Sequence, residues 1–183
     1  MNRSQLRYLL EHYRTVFEEE QQFVAEFLDL VEDPLAFHRE RTAGHFTASS
    51  WIVNKTRTHT LLTLHKKLNK WLQLGGHADG NDNLLEVCLN EAREESGLTS
   101  LRLVDRTIFD IDRHLIPSKG EVEEHYHYDV RFLIEAEMDE SLTMSDESTE
   151  LAWISFDMVE AVVNGNVSIL RMLEKTSRSE IFS

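Results

Sequence analysis

Apolar positions change period along the chain, and each change marks an element. From about Ser4 to Val31 the period is helical: Leu6, Leu9, Leu10, Tyr13 and Phe17 fall on one stripe, and Phe23, Val24, Phe27, Leu28 and Val31 on another. The polar run Glu18-Glu19-Glu20-Gln21 predicts a break between two helices, and Glu32-Asp33-Pro34 ends the segment. From His45 the period becomes two. HFTASSWIVN and THTLLTLHKK read as strands joined by a turn at Asn54-Lys55-Thr56-Arg57, and WLQLGG as a short strand. Leu84, Leu85, Cys88 and Ala92 restore helical spacing; Asn83 with Glu86 reads as a capping box before that helix and Gly97 as its left-handed C-cap. Leu101 to Val104 and Thr107 to Ile116 read as strands, PSKGEVEE as a hairpin-like loop, and HYHYDVRFLIEAEM as the clearest alternating strand. After the acidic loop Asp139 to Thr149, a last strand begins at Glu150. Asp157 with Glu160 opens a helix, Asn164-Gly165-Asn166 breaks it, and Val167 to Lys175 forms the final helix before a fraying tail.

Two patterns carry candidate chemistry. Opposite the apolar face of the helix after Asn83 stand Glu91, Glu94 and Glu95, whose offsets of three and four place them on one surface. Like charges so placed repel, and a hard divalent cation with oxygen ligands offsets that cost. On the alternating strand, Tyr126, Tyr128, Val130 and Phe132 share one face, and His125, His127, Asp129 and Arg131 the other; Asp110, Asp112 and His114 share a face of the preceding strand. Pairing of these strands would assemble acids and histidines in one cluster. Three readings stand: a solvated face with cross-strand ion pairs, a substrate-positioning surface, and, ranked last, a zinc site through His-x-His. The prediction is that His125, His127, Asp129 and Arg131 read the substrate, with Arg131 gripping a phosphate or carboxylate bidentately.

The stretch from Gly76 to Leu98 resembles the Nudix box: glycine, five residues, Glu, seven residues, Arg-Glu, an apolar residue, any residue, Glu-Glu, any residue, Gly, apolar. Here it reads Gly76, then Asp82, then Asn90-Glu91-Ala92-Arg93-Glu94-Glu95-Ser96-Gly97-Leu98, with the spacing kept throughout. Asp82 stands where the family has Glu, and Asn90 where it has Arg; in the family these residues support each other, so a supporting hydrogen bond between Asp82 and Asn90 is expected. The resemblance implies an α+β fold, a Nudix-like α/β/α sandwich with a mixed central sheet. Residues 45–183 would form the Nudix domain, with an N-terminal helical extension at 1–44. It implies hydrolysis of a nucleoside diphosphate linked to another moiety, with Mg²⁺ or Mn²⁺ held by Glu91, Glu94 and Glu95. Gly76 would add a carbonyl ligand or admit the phosphate. Glu94 and Glu95 are the catalytic candidates within the box; Glu94, or Glu147 and Glu150 in the late loop, is the candidate base. A strand after the box passes beside the phosphate site in the resembling fold, which supports the substrate reading of His125 and its neighbours. Subgroup signatures for ADP-sugar, dinucleoside polyphosphate and NADH hydrolases are missing, so the substrate stays open. A nucleotide-binding sensor with the same fold is the alternative. An isomerase similar to isopentenyl diphosphate isomerase would need a reactive cysteine, whereas Cys88 faces the expected core.

Composition narrows the partners. The 183 residues carry a formal net charge of −14, which disfavours general nucleic-acid or anionic-membrane binding and leaves a polyanionic substrate dependent on metal or local basic residues. His59, His65, Lys66, Lys67 and Lys70 form a basic patch that solvates a surface or neutralises a substrate. With one cysteine and a charged N-terminus lacking an apolar core, a cytoplasmic protein is expected. The N-terminal stripes are either a layer packed on the domain or a dimerisation element. Since they exceed what one helix normally buries, a homodimer is the expectation.

Overall fold

Eleven consecutive residues, Gly44–Asn54, form a strand buried at every position. Polar side chains persist in such a strand where each finds a partner: Thr47 and Ser49 donate to Asp129 Oδ1 at 3.0 and 2.9 Å, and Ser50 to the Leu74 carbonyl at 3.2 Å. The computed structural model describes residues 1–120 and 122–178. In chain order the elements are α1 (Arg3–Glu11), α2 (Glu18–Glu32), β1 (Gly44–Asn54), β2 (His59–His65), β3 (Lys70–Leu72), β4 (Leu74–His77), α3 (Leu84–Ser96), β5 (Arg102–Leu103), β6 (Asp110–Ile116), β7 (His125–Ala136), β8 (Ser148–Ser155), α4 (Phe156–Val163) and α5 (Val167–Ser177). The hydrogen-bonded strand order is β3-β2-β1-β7-β5, with β4 on β1, β6 on β7 and β8 on β2.

Two compact units are distinguishable, and β1, β4, α3 and β7 each contribute to both. The first comprises Met1–Ser49, Gly75–Asn90 and Asp105–Phe132. Its core contains Leu6, Leu10, Phe27, Val31, Phe37, Phe46, Cys88, Ile111 and Val130. Phe27 meets Phe46 and Tyr128 edge-on at 5.8 and 5.3 Å between ring centroids. β6 pairs antiparallel with β7, from Asp110 opposite Arg131 to Ile116 opposite His125. The second unit comprises Ser50–Leu74, Glu91–Val104 and Leu133–Ser183. There β2 pairs antiparallel with β8 and with β3, and β5 with β7. Buried Trp51 donates its indole N–H to Thr176 at 2.8 Å.

Several expectations shift. The break between the first helices lies at 12–17, and Glu18–Glu20 instead form the first turn of α2, where acidic side chains complement the helix dipole. Fully buried Glu20 accepts from the hydroxyls of Tyr13 and Thr15 and from the Ile111 N–H at 3.1 Å. The apolar stripes close on the first unit: Leu6, Leu10, Phe27, Leu30 and Val31 are buried within one chain. This agrees with the packed-layer reading for those residues, while Leu9, Tyr13, Phe17, Phe23, Val24 and Leu28 of the same stripes stay half-buried. The expected boundary between residues 44 and 45 falls inside the first unit. β8 begins at Ser148 because its pairing continues to His65. Ser155, not Asp157, is the N-cap of α4. The fraying expected of the tail concerns residues 179–183, outside the described ones, and Glu121 in the hairpin-like loop is outside them too.

Candidate functional site

The box helix forms as its periodicity predicts. Leu84, Leu85, Cys88 and Ala92 are buried, Glu94 is exposed, and Glu91 and Glu95 are half-buried. Three carboxylates on the accessible side of α3 are hard oxygen donors, the ligand type a hard divalent cation takes. Asn83 starts the helix by accepting from the Glu86 N–H at 3.3 Å. The Glu86 carboxylate, however, accepts from the Asn83 side-chain amide at 3.1 Å, while the Asn83 N–H donates to Asn81, so the reciprocal half of the expected box is absent. Gly97 ends the helix at φ 72, with its N–H on the Arg93 carbonyl at 2.8 Å. Of the two glycines before the box loop, Gly75 bears the steric demand: a Cβ there would lie 2.6 Å from the Ala48 carbonyl oxygen. Gly76 lies beside it in β4.

The supporting pair expected of Asp82 and Asn90 is corrected. The Asp82 carboxylate accepts from the Arg3 N–H at 3.1 Å, which ties the start of α1 to the box loop, and Asn90 is exposed on α3. In the second unit, Glu147 and Glu150 are exposed. The Glu147 carbonyl accepts from the Lys66 N–H at 2.9 Å, which fixes its backbone beside the end of β2.

Pairing of β6 with β7 assembles the acid and histidine cluster the alternation predicted, and burial splits it in two. At the buried end, Arg131 is 1% exposed and Asp129 also 1%. Arg131 donates through Nε to Asp129 at 2.8 Å, through Nη1 to Asp110 at 3.0 Å and through Nη2 to Asp112 at 3.2 Å. Asp129 also receives the Thr47 and Ser49 hydroxyls. The assignment of Arg131 and Asp129 to substrate is therefore corrected: each nitrogen of the guanidinium holds a protein carboxylate, and neither residue is accessible. At the other end, His125 and His127 are half-buried on β7, with His114 opposite His127.

Reading the sequence alone misses His45 on β1 and His77 at the end of β4, which complete this group. Ring centroids lie 5.1 Å apart for His45–His127, 4.9 Å for His77–His127 and 5.3 Å for His45–His77. One signal is present in the pattern: His45, Thr47 and Ser49 alternate on one face of a strand. His77 is absorbed into the box loop because it follows two glycines. Burial, followed by neighbouring His77, lowers His45 to about 4. Burial, followed by His114, His77, His45 and His125, lowers His127 to about 2. Both rings are neutral at pH 7 and present nitrogens able to accept a hydrogen bond or bind a metal.

Neither a family model nor a curated protein sequence matches the chain significantly. Solved structures do. A Nudix-family hydrolase from Clostridium perfringens matches 73% of this chain and 96% of its own at 27% identity and a TM-score of 0.58. That match accompanies a box whose spacing is intact in the sequence and whose helix exposes Glu94 and leaves Glu91 and Glu95 half-buried. The chain belongs to the Nudix hydrolase superfamily. A Caenorhabditis elegans Ap4A hydrolase complex matches 72% of this Nudix chain and 94% of its own at 17% identity and a TM-score of 0.58. The MutT protein from Methanosarcina mazei Go1 matches 76% and 96% at 18% identity and a TM-score of 0.57. At those identities the last two speak for the fold, the Nudix α/β/α sandwich with a mixed sheet.

Proposed function

We propose that this Nudix protein hydrolyses a pyrophosphate bond in a nucleoside diphosphate linked to another moiety, with Mg²⁺ or Mn²⁺ held by Glu91, Glu94 and Glu95. The observation that carries the reading is α3 itself, which buries Leu84, Cys88 and Ala92 and turns Glu94 outward with Glu91 and Glu95 half-buried beside it. When bound, such a cation neutralises phosphate oxygens and lowers the pKa of a coordinated water. The protein's part is to fix the carboxylates on a rigid helix and to keep an acid available as base. Glu94, with Glu95 beside it in the box, is one candidate for that role, and Glu147 or Glu150 from the late loop is the alternative. Gly76 contributes its carbonyl or the room for a phosphate. Neighbours named as an Ap4A hydrolase and a dihydroneopterin triphosphate pyrophosphohydrolase support a nucleotide-type phosphoanhydride as the substrate class. Buried Cys88, with its thiol on the Ser49 carbonyl at 3.2 Å, argues against cysteine-dependent isomerase chemistry.

The test is release of phosphate or nucleoside monophosphate from a panel of nucleoside diphosphate derivatives. Turnover is expected with Mg²⁺ or Mn²⁺, and a loss of at least about 100-fold in Glu94→Gln, the scale of a removed acid–base or charge-stabilising group. Wild-type protein that binds nucleotides without turnover would move the reading to a sensor. Of the predicted substrate face, half-buried His125 keeps a positioning role: its Nδ1 lies 2.9 Å from the Glu123 carbonyl, which orients the ring. His125→Ala should raise KM while leaving Mn²⁺ binding unchanged; equal KM for both proteins would remove His125 from the site.

A further inference from the structure

His45, His77 and His127 come from three different strands, and one nitrogen from each lies within 4.8 Å of the other two. His45 is 2% exposed, and neither of its ring nitrogens makes a well-formed hydrogen bond, although the Arg41 backbone carbonyl lies near enough to raise its pKa; His127 Nε2 has no partner. A buried polar atom left unsatisfied costs about 1–3 kcal/mol, and here such atoms gather in one place. Mutual hydrogen bonding does not relieve them. His114 and His125 flank the group, with ring centroids 5.4 and 5.2 Å from His127. Charged groups stand at the edge of the cluster: Asp79 and Arg39, paired with each other, act on His45 from outside it, and Asp112 lies 3.4 Å from the flanking His114.

We propose that His45, His77 and His127 bind one divalent first-row transition-metal ion of the zinc class, at a site chemically distinct from the box carboxylates. Three imidazoles with a fourth position open is a recurrent zinc arrangement. Neutral nitrogen donors suit zinc, cobalt, nickel and copper, whereas magnesium and calcium take oxygen. Zn–N bonds of about 2.0–2.1 Å put tetrahedral ligand nitrogens about 3.3 Å apart, so binding would draw together three nitrogens that already lie within 4.8 Å of one another. These nitrogens alone carry the site, independently of the hydrolytic reading. Zinc, ranked last from His-x-His alone, moves forward because two of the three ligands lie outside that motif.

The full-length protein, stripped with a chelator and dialysed, is titrated with Co²⁺ and followed by visible absorption. Wild type should develop intense tetrahedral bands that saturate at about one cobalt per chain, be displaced by Zn²⁺ and resist excess Mg²⁺. His45→Gln and His127→Gln should weaken binding by more than the roughly 10–100-fold typical of losing an outer-shell partner. Glu94→Gln should keep the bands. Their absence in wild type, their persistence in both histidine variants, or their loss in Glu94→Gln alone would overturn the site. Should the variants unfold, proton NMR of wild type decides instead. Stoichiometric Co²⁺ should broaden or shift the His45, His77 and His127 ring signals before those of His12 and His59; an unselective effect would equally overturn it.

Discussion

Arg131 carries a charge into a place with almost no water. Desolvating a guanidinium is costly, and three aspartates on two strands offset the cost. The planar fork fits this arrangement, since Nε, Nη1 and Nη2 each take a different carboxylate, a division a lysine ammonium cannot reproduce. Arg131→Met should therefore destabilise the protein by about 3–5 kcal/mol, because it leaves buried carboxylates uncompensated. Arg131→Lys should recover only part of that loss. Urea unfolding measures both, and an unchanged midpoint in Arg131→Met would show that the network is not structural. Alternation places Arg131 on the same face as His125, and the strand pairing agrees. Depth along the strand is not legible, since period two assigns a side and says nothing of what covers it.

At the scale of elements, α3 shows how a helix end is secured. Gly97 adopts the left-handed conformation, and a Cβ there would meet Thr143 at 2.7 Å. The Thr143 N–H reaches back to the Ser96 carbonyl at 2.7 Å, so the segment after β7 closes the exposed end of the helix. Glu140 adds a clasp, accepting from the Thr99 and Ser100 N–H groups at 2.8 and 3.1 Å. Hydrogen bonds from Ser100 and Thr99 hold its carboxyl down at about 2. With the folded value below the unfolded one, the stability it contributes is full above the unfolded value of about 4.3 and is lost as pH falls toward about 2. Thermal unfolding from pH 5 to 2 should show wild type losing stability more steeply than Glu140→Gln. Parallel curves would mean the clasp contributes nothing.

For the whole molecule, the first 43 residues are not an appendage. Leu6, Leu10, Phe27, Leu30 and Val31 are core residues of the first unit, and Glu20 satisfies a backbone N–H of β6. At about 1.5–3 kcal/mol for each buried side chain, these five represent roughly 8–15 kcal/mol, comparable with the whole stability of about 5–15 kcal/mol of an ordinary domain. A chain beginning at His45 should fail to fold, with no cooperative transition in circular dichroism. A truncated protein melting like the full-length one would restore the expected boundary at residue 44.

The sequence by itself determined what is local and periodic. It determined the type and order of most helices and strands, though not the break between α1 and α2 or the division of WLQLGG between β3 and β4. It also determined the side of α3 that bears Glu91, Glu94 and Glu95, the face shared by His125, His127, Asp129 and Arg131, and the box spacing that places the chain among Nudix hydrolases. It missed the capping geometry of α3, where Asn81 takes the Asn83 N–H, and of α4, which starts after Ser155 with no side-chain cap bond. Tertiary structure decided which residues separated by long stretches of chain meet. It sealed Arg131 away from substrate, gave Asp82 to Arg3, and brought His45 and His77 from β1 and β4 to His127. Such meetings depend on strand pairing and on what covers each face, and no spacing along one strand encodes either.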